Sequence, residues 1–315
     1  MSSDALSPLP SPPVFVFGAL RSGTTLLRLM LKSHPGIQSP GEADFLFDHV
    51  APAGDGGWRY DRAALARDRI FRAKETGLPE GCEGADLARV LVAAMAAKDA
   101  GLLSLNIHRN AAKMAALFPD AKIIHLLRDP RDVARSSIGM GWAGNSYFGV
   151  DHWIGTEAGW DAARIDGPRV LTVRYETLMA GLEAELTRIC GFLGLEFHPV
   201  MLRYYENSTY GPPDPAIAQK WKTKASPREI ALIEGRIGPL LQARGYEPAG
   251  APAIPGPLEL ARLTAQSRMK RWRHNIDRYG FPLFAGYHAA RALGLKRMAR
   301  KLAARQEAIR IANLQ

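Results

Sequence analysis

A glycine-containing segment near the amino terminus has residue types that bind phosphate. Residues Gly18 to Thr25 read GALRSGTT, follow the apolar run Val14–Phe17 and precede LLRLML, so they lie where a strand turns into a helix. Glycine permits left-handed turns and close backbone approach, and the N–H groups at a helix start attract an anion. The segment predicts a phosphate-binding loop; a strand-to-helix turn that binds no ligand is the alternative.

The loop differs from that of ATP-binding proteins at one position. Its spacing matches G-x-x-x-x-G-K-[ST], but Thr24 stands where the lysine that reaches the β- and γ-phosphates is expected. No obvious aspartate at a strand end completes a magnesium site. The loop therefore suits a ligand with less terminal charge than ATP, and Arg21 within it can neutralise one anionic group.

A second segment, IIHLLRDPRDVARSS, has a similar arrangement. Arg128 ends an apolar run and Pro130 fits the first position of a helix. We expect Arg128 and Ser136 to hold an anion by charge-assisted hydrogen bonds, and Asp129 and Asp132 to cap the helix and pair with arginines. A surface salt-bridge cluster is the alternative. Two anion sites on one sheet, the first built for one phosphate, predict a nucleotide phosphorylated at two separate places.

The elements that must position these segments are short apolar runs alternating with helical patterns. The helical patterns cover about 24–32, end at Leu117, begin at Pro130 and cover 176–193. This alternation is typical of an α/β fold with a parallel sheet and helices on both faces. The predicted strands are Val14–Phe17, Leu102–Ile107, Lys122–Leu127 and Val170–Arg174.

The composition is that of a globular protein that can bury a full core. The chain has 315 residues, 47% of them hydrophobic and 23% charged. We find no signal peptide and no apolar run of bilayer length, and therefore expect a cytoplasmic location. Cys82, Cys190 and the scattered histidines have no metal-ligand or disulfide spacing, so we expect neither a metal site nor a disulfide framework.

The positive charge is concentrated at the carboxyl end. Residues 1–250 contain 28 Lys and Arg and 28 Asp and Glu, whereas residues 251–315 contain 13 and 3. A Pro/Gly/Ala-rich stretch from Glu247 to Pro257 reads as a linker. We therefore divide the chain into a flexible amino terminus (1–13), a main domain (14–250) and a basic helical extension (251–315). The balanced main domain gives no indication of a nucleic-acid partner.

The extension contains two helical pieces, and the second predicts an amphipathic basic helix. Packing of this helix back on the domain with a solvated basic face is the first interpretation. Peripheral contact of residues 258–315 with a membrane surface is the alternative. The apolar positions of the predicted helix are Ala289, Leu293, Met298, Leu302, Ile309 and Ala312.

Four collinear segments resemble one enzyme family. They are RSGTTLLRLMLKSHP, FPDAKIIHLLRDPRDVARSS, VRYETL with ICGFLGL, and QKWK with IGPLLQARGYEP. Together, from about Val14 to Pro248, they resemble the sulfotransferases that use 3′-phosphoadenosine 5′-phosphosulfate (PAPS), most closely the tyrosylprotein branch. The resemblance implies a three-layer P-loop-like fold and sulfuryl transfer from PAPS to an acceptor hydroxyl. The nucleotide product would be adenosine 3′,5′-bisphosphate (PAP), and no metal would be required.

The resemblance also implies roles for individual residues. Glu42, in the segment SPGEADFLF, matches the general base, and Arg21 is placed to stabilise the departing phosphate. Arg128 and Ser136 would hold the 3′-phosphate. The residues expected at the 5′-phosphosulfate are Arg21, Ser22, Gly23, Thr24 and Thr25, and those touching the nucleotide elsewhere are Tyr175, Lys220 and Trp221.

Two departures from the family pattern affect the predicted site. The family has a catalytic lysine in K-x-P, but this chain reads Leu103-Ser-Leu105 at that spacing. We expect His108 to be a catalytic residue that assists the leaving group in place of the lysine, and its neighbour Arg109 is a second candidate. A purely structural role for His108 is the alternative. Met140 stands where another basic nucleotide contact is expected.

The acceptor is less well specified than the donor. Trp142, Tyr147 and Phe148 lie in a Gly-rich segment that predicts either a loop over the acceptor or a hydrophobic cluster. The acceptor hydroxyl can belong to a small molecule, sugar, lipid or tyrosine. The sequence leaves open whether the chain forms a homodimer. The rival functions are an ATP-dependent P-loop kinase and a non-catalytic nucleotide-binding protein.

Overall fold

A central five-stranded parallel sheet organises the molecule. The computed structural model describes residues 11–54, 56–96, 101–208 and 210–312, so most of the predicted flexible segment 1–13 lies outside the described residues. The central sheet has the order β2-β5-β1-β6-β7, and β3 and β4 form a separate antiparallel hairpin. The strands are β1 (Val14–Phe17), β2 (Ile37–Glu42), β3 (Val50–Pro52), β4 (Trp58–Tyr60), β5 (Leu102–Ile107), β6 (Lys122–Leu127) and β7 (Val170–Arg174).

Both faces of the sheet are covered, as the nearly continuous apolar runs predict. In the middle strand, Phe15 and Phe17 belong to one hydrophobic cluster, whereas Val14 and Val16 belong to another on the opposite face. All four side chains are almost completely buried. The sheet with its flanking helices confirms the predicted α/β class and its central parallel sheet.

The helices of the main domain follow the strands in the predicted alternation. They are α1 (Thr24–Ser33), α2 (Phe45–Asp48), α3 (Arg62–Leu65), α4 (Arg69–Arg72), α5 (Gly84–Ala94), α6 (Ala111–Leu117), α7 (Pro130–Gly139), α8 (Ser146–Gly149), α9 (Asp151–Ala163), α10 (Tyr175–Ala180), α11 (Leu182–Leu193), α12 (Trp221–Lys224), α13 (Pro227–Ile237) and α14 (Leu240–Ala243). Pro199–Asn207 and Pro215–Ile217 form 3-10 turns.

The strand register brings the predicted chemistry to one edge. Phe17, the last residue of β1, pairs with Ile107 of β5 and His125 of β6. The phosphate loop, His108 and Arg128 therefore follow the carboxyl ends of three adjacent strands. This edge is where open parallel sheets bind ligands.

Some elements of the main domain differ from the sequence prediction. The helix predicted over 176–193 is interrupted at Gly181, whose non-helical backbone separates α10 from α11. Strand β2 was not predicted, because its sequence IQSPGE includes proline and glycine, which are depleted in strands. It is tolerated as an edge strand, with a register shift between Gln38 and Gly41.

The basic extension forms three helices, α15 (Pro257–Tyr279), α16 (Phe281–Ala292) and α17 (Lys296–Ala312). The single amphipathic helix predicted for its second half is wrong, because the chain turns at Gly294 with a left-handed φ of 68°. Leu293 and Met298, expected on its apolar face, are exposed. Within the described ranges, none of the helices has the length and apolar character needed to span a membrane.

The stretch predicted as a linker has no regular structure but is attached to the main domain. The Ala253 N–H donates a hydrogen bond to the Ala231 carbonyl of α13 at 2.8 Å. The Ala253 carbonyl also lies only 2.1 Å from where a Cβ on Gly235 would be, so this approach requires glycine. The extension is therefore held at its base rather than tethered by a free linker.

Candidate functional site

The phosphate loop is held in shape by a tyrosine ring. Gly23 has a φ of 94°, and a Cβ at this position would lie 2.4 Å from the Tyr175 ring. Two residues earlier, Arg21 has a φ of 72°, which is uncommon for a residue other than glycine. The loop thus has a glycine where the Tyr175 ring leaves no room for a side chain, and an arginine in a strained backbone conformation two residues earlier.

Arg128 connects the loop to the neighbouring strand β6. One of its terminal nitrogens donates a hydrogen bond to the Arg21 carbonyl at 3.0 Å, and its guanidinium lies 4.4 Å from the Tyr175 ring centroid. The other terminal nitrogen donates to the Ile217 carbonyl at 3.3 Å. These contacts fix the guanidinium beside the loop.

The structure brings the two predicted anion sites together. The Arg21 Nε donates a hydrogen bond to the Ser136 Oγ at 3.0 Å, which joins the loop to the first turns of α7. Among the described residues, the buried Ser22 Oγ and Arg128 Nε have no hydrogen-bond partner. Because buried polar groups are normally paired, these two groups are suited to an anionic ligand.

A cavity of about 290 Å³ adjoins this cluster. The loop, Arg128 and Tyr175 line one part of it, and the aromatic rings of Tyr204 and Tyr210 line another. A guanidinium beside aromatic walls provides both charge and flat apolar surface. Such a cavity is suited to a ligand with a phosphate and a planar ring.

Four predicted nucleotide contacts are not among the residues that line this cavity: Ser22, Ser136, Lys220 and Trp221. Ser22 belongs to the loop itself and Ser136 is bonded to Arg21, whereas Lys220 and Trp221 lie elsewhere. The Trp221 indole is buried, donates to the Asp129 carboxylate at 2.8 Å and stacks under the Arg131 guanidinium at 3.7 Å. The Asp129 side chain accepts from the Arg131 N–H, as predicted for a helix cap. A nucleotide contact for Lys220 or Trp221 stays a prediction.

A buried aspartate and histidine lie behind the loop. The His108 Nδ1 is 2.8 Å from one Asp44 carboxylate oxygen, and the His108 N–H donates to the other at 2.8 Å. The His108 Nε2 is 3.2 Å from the Thr24 Oγ1. The histidine therefore joins an acid to the phosphate loop, whereas Leu103, at the family's lysine spacing, is buried inside β5.

The Asp44 carboxylate is stabilised in its charged form. Burial opposes the charge, but hydrogen bonds from His108 and the attraction of His108 and Arg109 outweigh it, so the pKa of Asp44 lies below its ordinary value. An ionised Asp44 accepts a hydrogen bond from the N–H at the His108 Nδ1. The other ring nitrogen, Nε2, faces the Thr24 hydroxyl.

Glu42 lies on a separate, larger cleft of about 970 Å³. It is the last residue of β2, pairs in the sheet with Asn106, and is exposed to solvent. Thr25 lines both this cleft and the smaller cavity, so the two spaces meet at the phosphate loop. Glu42 and the smaller cavity therefore lie on opposite sides of a shared wall.

The cleft is rich in positive charge. Burial and the nearby Arg28 lower the pKa of Lys74, and the negative charge of Glu42 opposes that shift, so these charges interact. Among the described residues, Arg28, Arg67, Arg72 and Lys74 have no carboxylate partner within ion-pair distance. The cations that line the cleft are Arg28, Arg67, Arg69, Arg72 and Lys74.

The predicted aromatic acceptor residues do not line the Glu42 cleft. Trp142 and Phe148 line a third cavity of about 640 Å³, together with residues of α15. Tyr147 is 9% exposed and lies 4.3 Å from the Arg236 guanidinium. The segment thus includes a short packed helix rather than forming a loop over Glu42, and an acceptor role for its aromatic residues stays a prediction.

Two residues of the site were not identified from the sequence. Asp44 lies two positions after Glu42, and its spacing from His108 gives no signal because the contact joins residues 64 positions apart. Lys74 lies in a polar stretch without a recognisable motif. Only the fold brings these residues to the phosphate loop and to Glu42.

Comparison with known proteins gives a consistent result. The sequence model described as the sulfotransferase family matches residues 12–199, more than half of the chain. Protein-tyrosine sulfotransferase A of Caenorhabditis elegans is 23% identical over 270 residues, covering 77% of this chain and 69% of that protein. Protein-tyrosine sulfotransferase 2 of Gallus gallus is 24% identical over 277 residues, covering 76% and 71%.

Solved structures show the same fold. The sulfotransferase domain of the Synechococcus PCC 7002 olefin synthase has a TM-score of 0.59 and 26% identity, covering 76% of this chain and 96% of that domain. The sulfotransferase domain of the curacin biosynthetic pathway has a TM-score of 0.55 and 22% identity, covering 76% and 99%. Neither comparison includes the whole chain.

The low pKa of Asp44 predicts a pH-dependent contribution to stability. Its ordinary value is 3.8, so the contribution is present above about pH 5 and is lost as the pH falls through the lower pKa of the folded state. We expect Asp44→Asn to lack this contribution. Urea unfolding of both proteins between about pH 6 and pH 3 measures it. A constant difference in the free energy of unfolding across this range would contradict the prediction.

Proposed function

Because the chain belongs to the sulfotransferase family, we propose that it transfers a sulfuryl group from PAPS to an acceptor hydroxyl and releases PAP. The observation that carries the proposal is the hydrogen bond between Arg21 and Ser136, which joins a single-phosphate loop to a second anion site. A donor phosphorylated at both its 5′ and 3′ positions presents charge to both sites. A triphosphate concentrates its charge at one.

The residues around the smaller cavity fit such a donor. In our proposal the loop residues Arg21 to Thr25 bind the 5′-phosphosulfate, and Arg128 with Ser136 binds the 3′-phosphate. The unpaired Ser22 hydroxyl and Arg128 Nε provide hydrogen-bond donors that need a partner. Tyr175 holds Arg128 in position through its ring face.

The proposed reaction is an in-line displacement at sulfur. The acceptor oxygen forms a bond to sulfur, the bond between sulfur and the 5′-phosphate oxygen breaks, and that oxygen keeps the electron pair. Glu42 takes the proton of the acceptor hydroxyl. The loop N–H groups and Arg21 stabilise the negative charge that develops on the departing phosphate.

We assign His108 to the departing phosphate as well. Its Nε2 faces the Thr24 hydroxyl at 3.2 Å, and the Asp44 carboxylate, 2.8 Å from Nδ1, fixes the orientation of the ring. A ring held in this way orients the Thr24 hydroxyl within the loop. In this proposal His108 assists at the departing phosphate through Thr24, and Asp44 is the residue that positions it.

The Glu42 cleft supports an acceptor with negative charge near its hydroxyl. Five cations line the cleft, and four of them lack a carboxylate partner among the described residues. The similar proteins from Caenorhabditis elegans and Gallus gallus are named protein-tyrosine sulfotransferases. We therefore propose a tyrosine in an acidic segment as the acceptor, with a small molecule, sugar or lipid as the alternatives.

Removal of the Arg128 guanidinium should weaken donor binding. We expect Arg128→Ala to reduce the affinity for PAP by about 10- to 100-fold, because charge-assisted hydrogen bonds are lost. Isothermal titration calorimetry measures the affinity, with Arg89→Ala on the exposed face of α5 as the control. Tighter binding of ATP with magnesium than of PAP would favour the kinase and overturn the proposed donor.

Glu42→Gln should separate catalysis from donor binding. We expect turnover to fall by about 100-fold or more, because the variant cannot take the acceptor proton, while PAP affinity stays unchanged. Release of PAP from PAPS in the presence of acceptor gives the rate, and Glu196→Gln at an exposed position is the control. A fully active Glu42→Gln enzyme would exclude this residue as the base.

The charge of the cleft should appear in the choice of acceptor. We expect Arg67→Gln combined with Arg72→Gln to raise the KM for an acidic tyrosine peptide by about fivefold, with little change for a neutral one. Added salt should reduce the preference for the acidic peptide in the wild type. Steady-state assays of both peptides test this, with Arg89→Gln as the control, and equal use of the two peptides by the wild type would refute it.

A further inference from the structure

The turn between α16 and α17 presents apolar side chains to solvent. Leu293 is 72% exposed, Leu295 is 45% exposed and Met298 is 53% exposed. Single exposed apolar residues are normal, but these three lie within six positions at the end of a helical hairpin. We call residues 291–301 the hairpin tip. It lies outside the segment matched by the family model.

The hairpin tip is also strongly and exclusively basic. It contains five cations and no acid, and the acids that flank it in the sequence are Asp277 and Glu307. None of the five cations forms an ion pair with a carboxylate in the part of the chain that the structure describes. All five are exposed: Arg291, Lys296, Arg297, Arg300 and Lys301.

The shape of the tip is fixed by hydrogen bonds. Gly294 adopts a left-handed φ of 68°, and the Leu295 N–H donates back to the Ala290 carbonyl at 2.8 Å. This is the pattern that ends a helix at a glycine. Ala290 itself is buried, as is Phe284 earlier in α16, so the hairpin has its own packed side. The exposed leucines and methionine are therefore not needed for that packing.

We propose that the hairpin tip docks the protein on an anionic membrane surface. The cations are attracted to acidic headgroups, and the three apolar side chains insert among the acyl chains at the interface. A nucleic acid would use the cations alone and leave the aliphatic side chains in water. The combination of charge with exposed aliphatic groups therefore favours a lipid surface.

Vesicle sedimentation with the full chain tests this proposal. We expect binding to vesicles of phosphatidylcholine with phosphatidylserine, weak binding to phosphatidylcholine alone, and release by salt. The variant L293S/L295S/M298S should lower the partition coefficient by at least about tenfold with no change of charge. The variant K296E/R297E/R300E should lower it by at least about tenfold as well.

A matched control uses residues outside the extension's helices. Ile254 is 86% exposed and Arg59 lies on an exposed strand position, so I254S/R59E changes one apolar and one basic side chain away from the tip. We expect this variant to bind vesicles like the wild type. Thermal unfolding midpoints show whether each variant folds. Vesicle binding is measured without substrate turnover, so its outcome does not depend on the proposed enzymatic function.

Three results would overturn the proposal. The first is no binding of the folded wild type to vesicles containing phosphatidylserine. The second is an equal loss of binding in the control and in the tip variants, which would indicate a general charge effect. The third is binding to an RNA or DNA oligonucleotide that displaces the vesicles and that depends on the tip cations but not on Leu293, Leu295 and Met298.

Discussion

The contact between the Tyr175 ring and Gly23 is the constraint on which the phosphate site depends. The ring occupies the space of a Cβ, so only glycine fits at position 23, and its face supports the Arg128 guanidinium. Arg128 in turn bonds the Arg21 carbonyl, and the Arg21 side chain bonds Ser136. Three segments that are distant in sequence are thereby held in one arrangement. A site preorganised in this way loses little conformational freedom on binding.

The sequence predicts the parts of this arrangement that are local. Strand β1, the loop and Arg128 at the end of β6 follow from short-range patterns of apolar, glycine and charged residues, and the structure places them as expected. The pairing of Asp44 with His108 does not, because it depends on how β2 lies beside β5. Trp221 shows the same limit, since its burial against Asp129 is set by packing between distant segments. The helix predicted for the second half of the extension is a different case. Its apolar spacing is regular, but the chain turns at Gly294 and divides it into α16 and α17.

The extension contributes to two of the spaces around the phosphate loop. Glu307 of α17 lines the Glu42 cleft and lies 3.9 Å from Arg69, whereas residues of α15 line the cavity beside Trp142. The extension is also attached at its base, where the Ala253 N–H donates a hydrogen bond to the Ala231 carbonyl. The extension therefore lines two cavities of the main domain, although its charge and composition differ from those of that domain. Contacts therefore continue across residue 250, where the charge and composition of the sequence change.

The left-handed backbone of Arg21 has a consequence for how far the loop can be altered. The residue types that adopt this conformation with least strain are glycine and asparagine, and neither has a guanidinium. Arginine here costs about 1–3 kcal/mol of backbone strain. A substitution that relaxes the backbone would make the loop more heat-resistant and at the same time remove the charge that reaches Ser136. Engineering for thermostability must therefore leave Arg21 unchanged, because no residue type at this position offers both an unstrained left-handed backbone and a guanidinium.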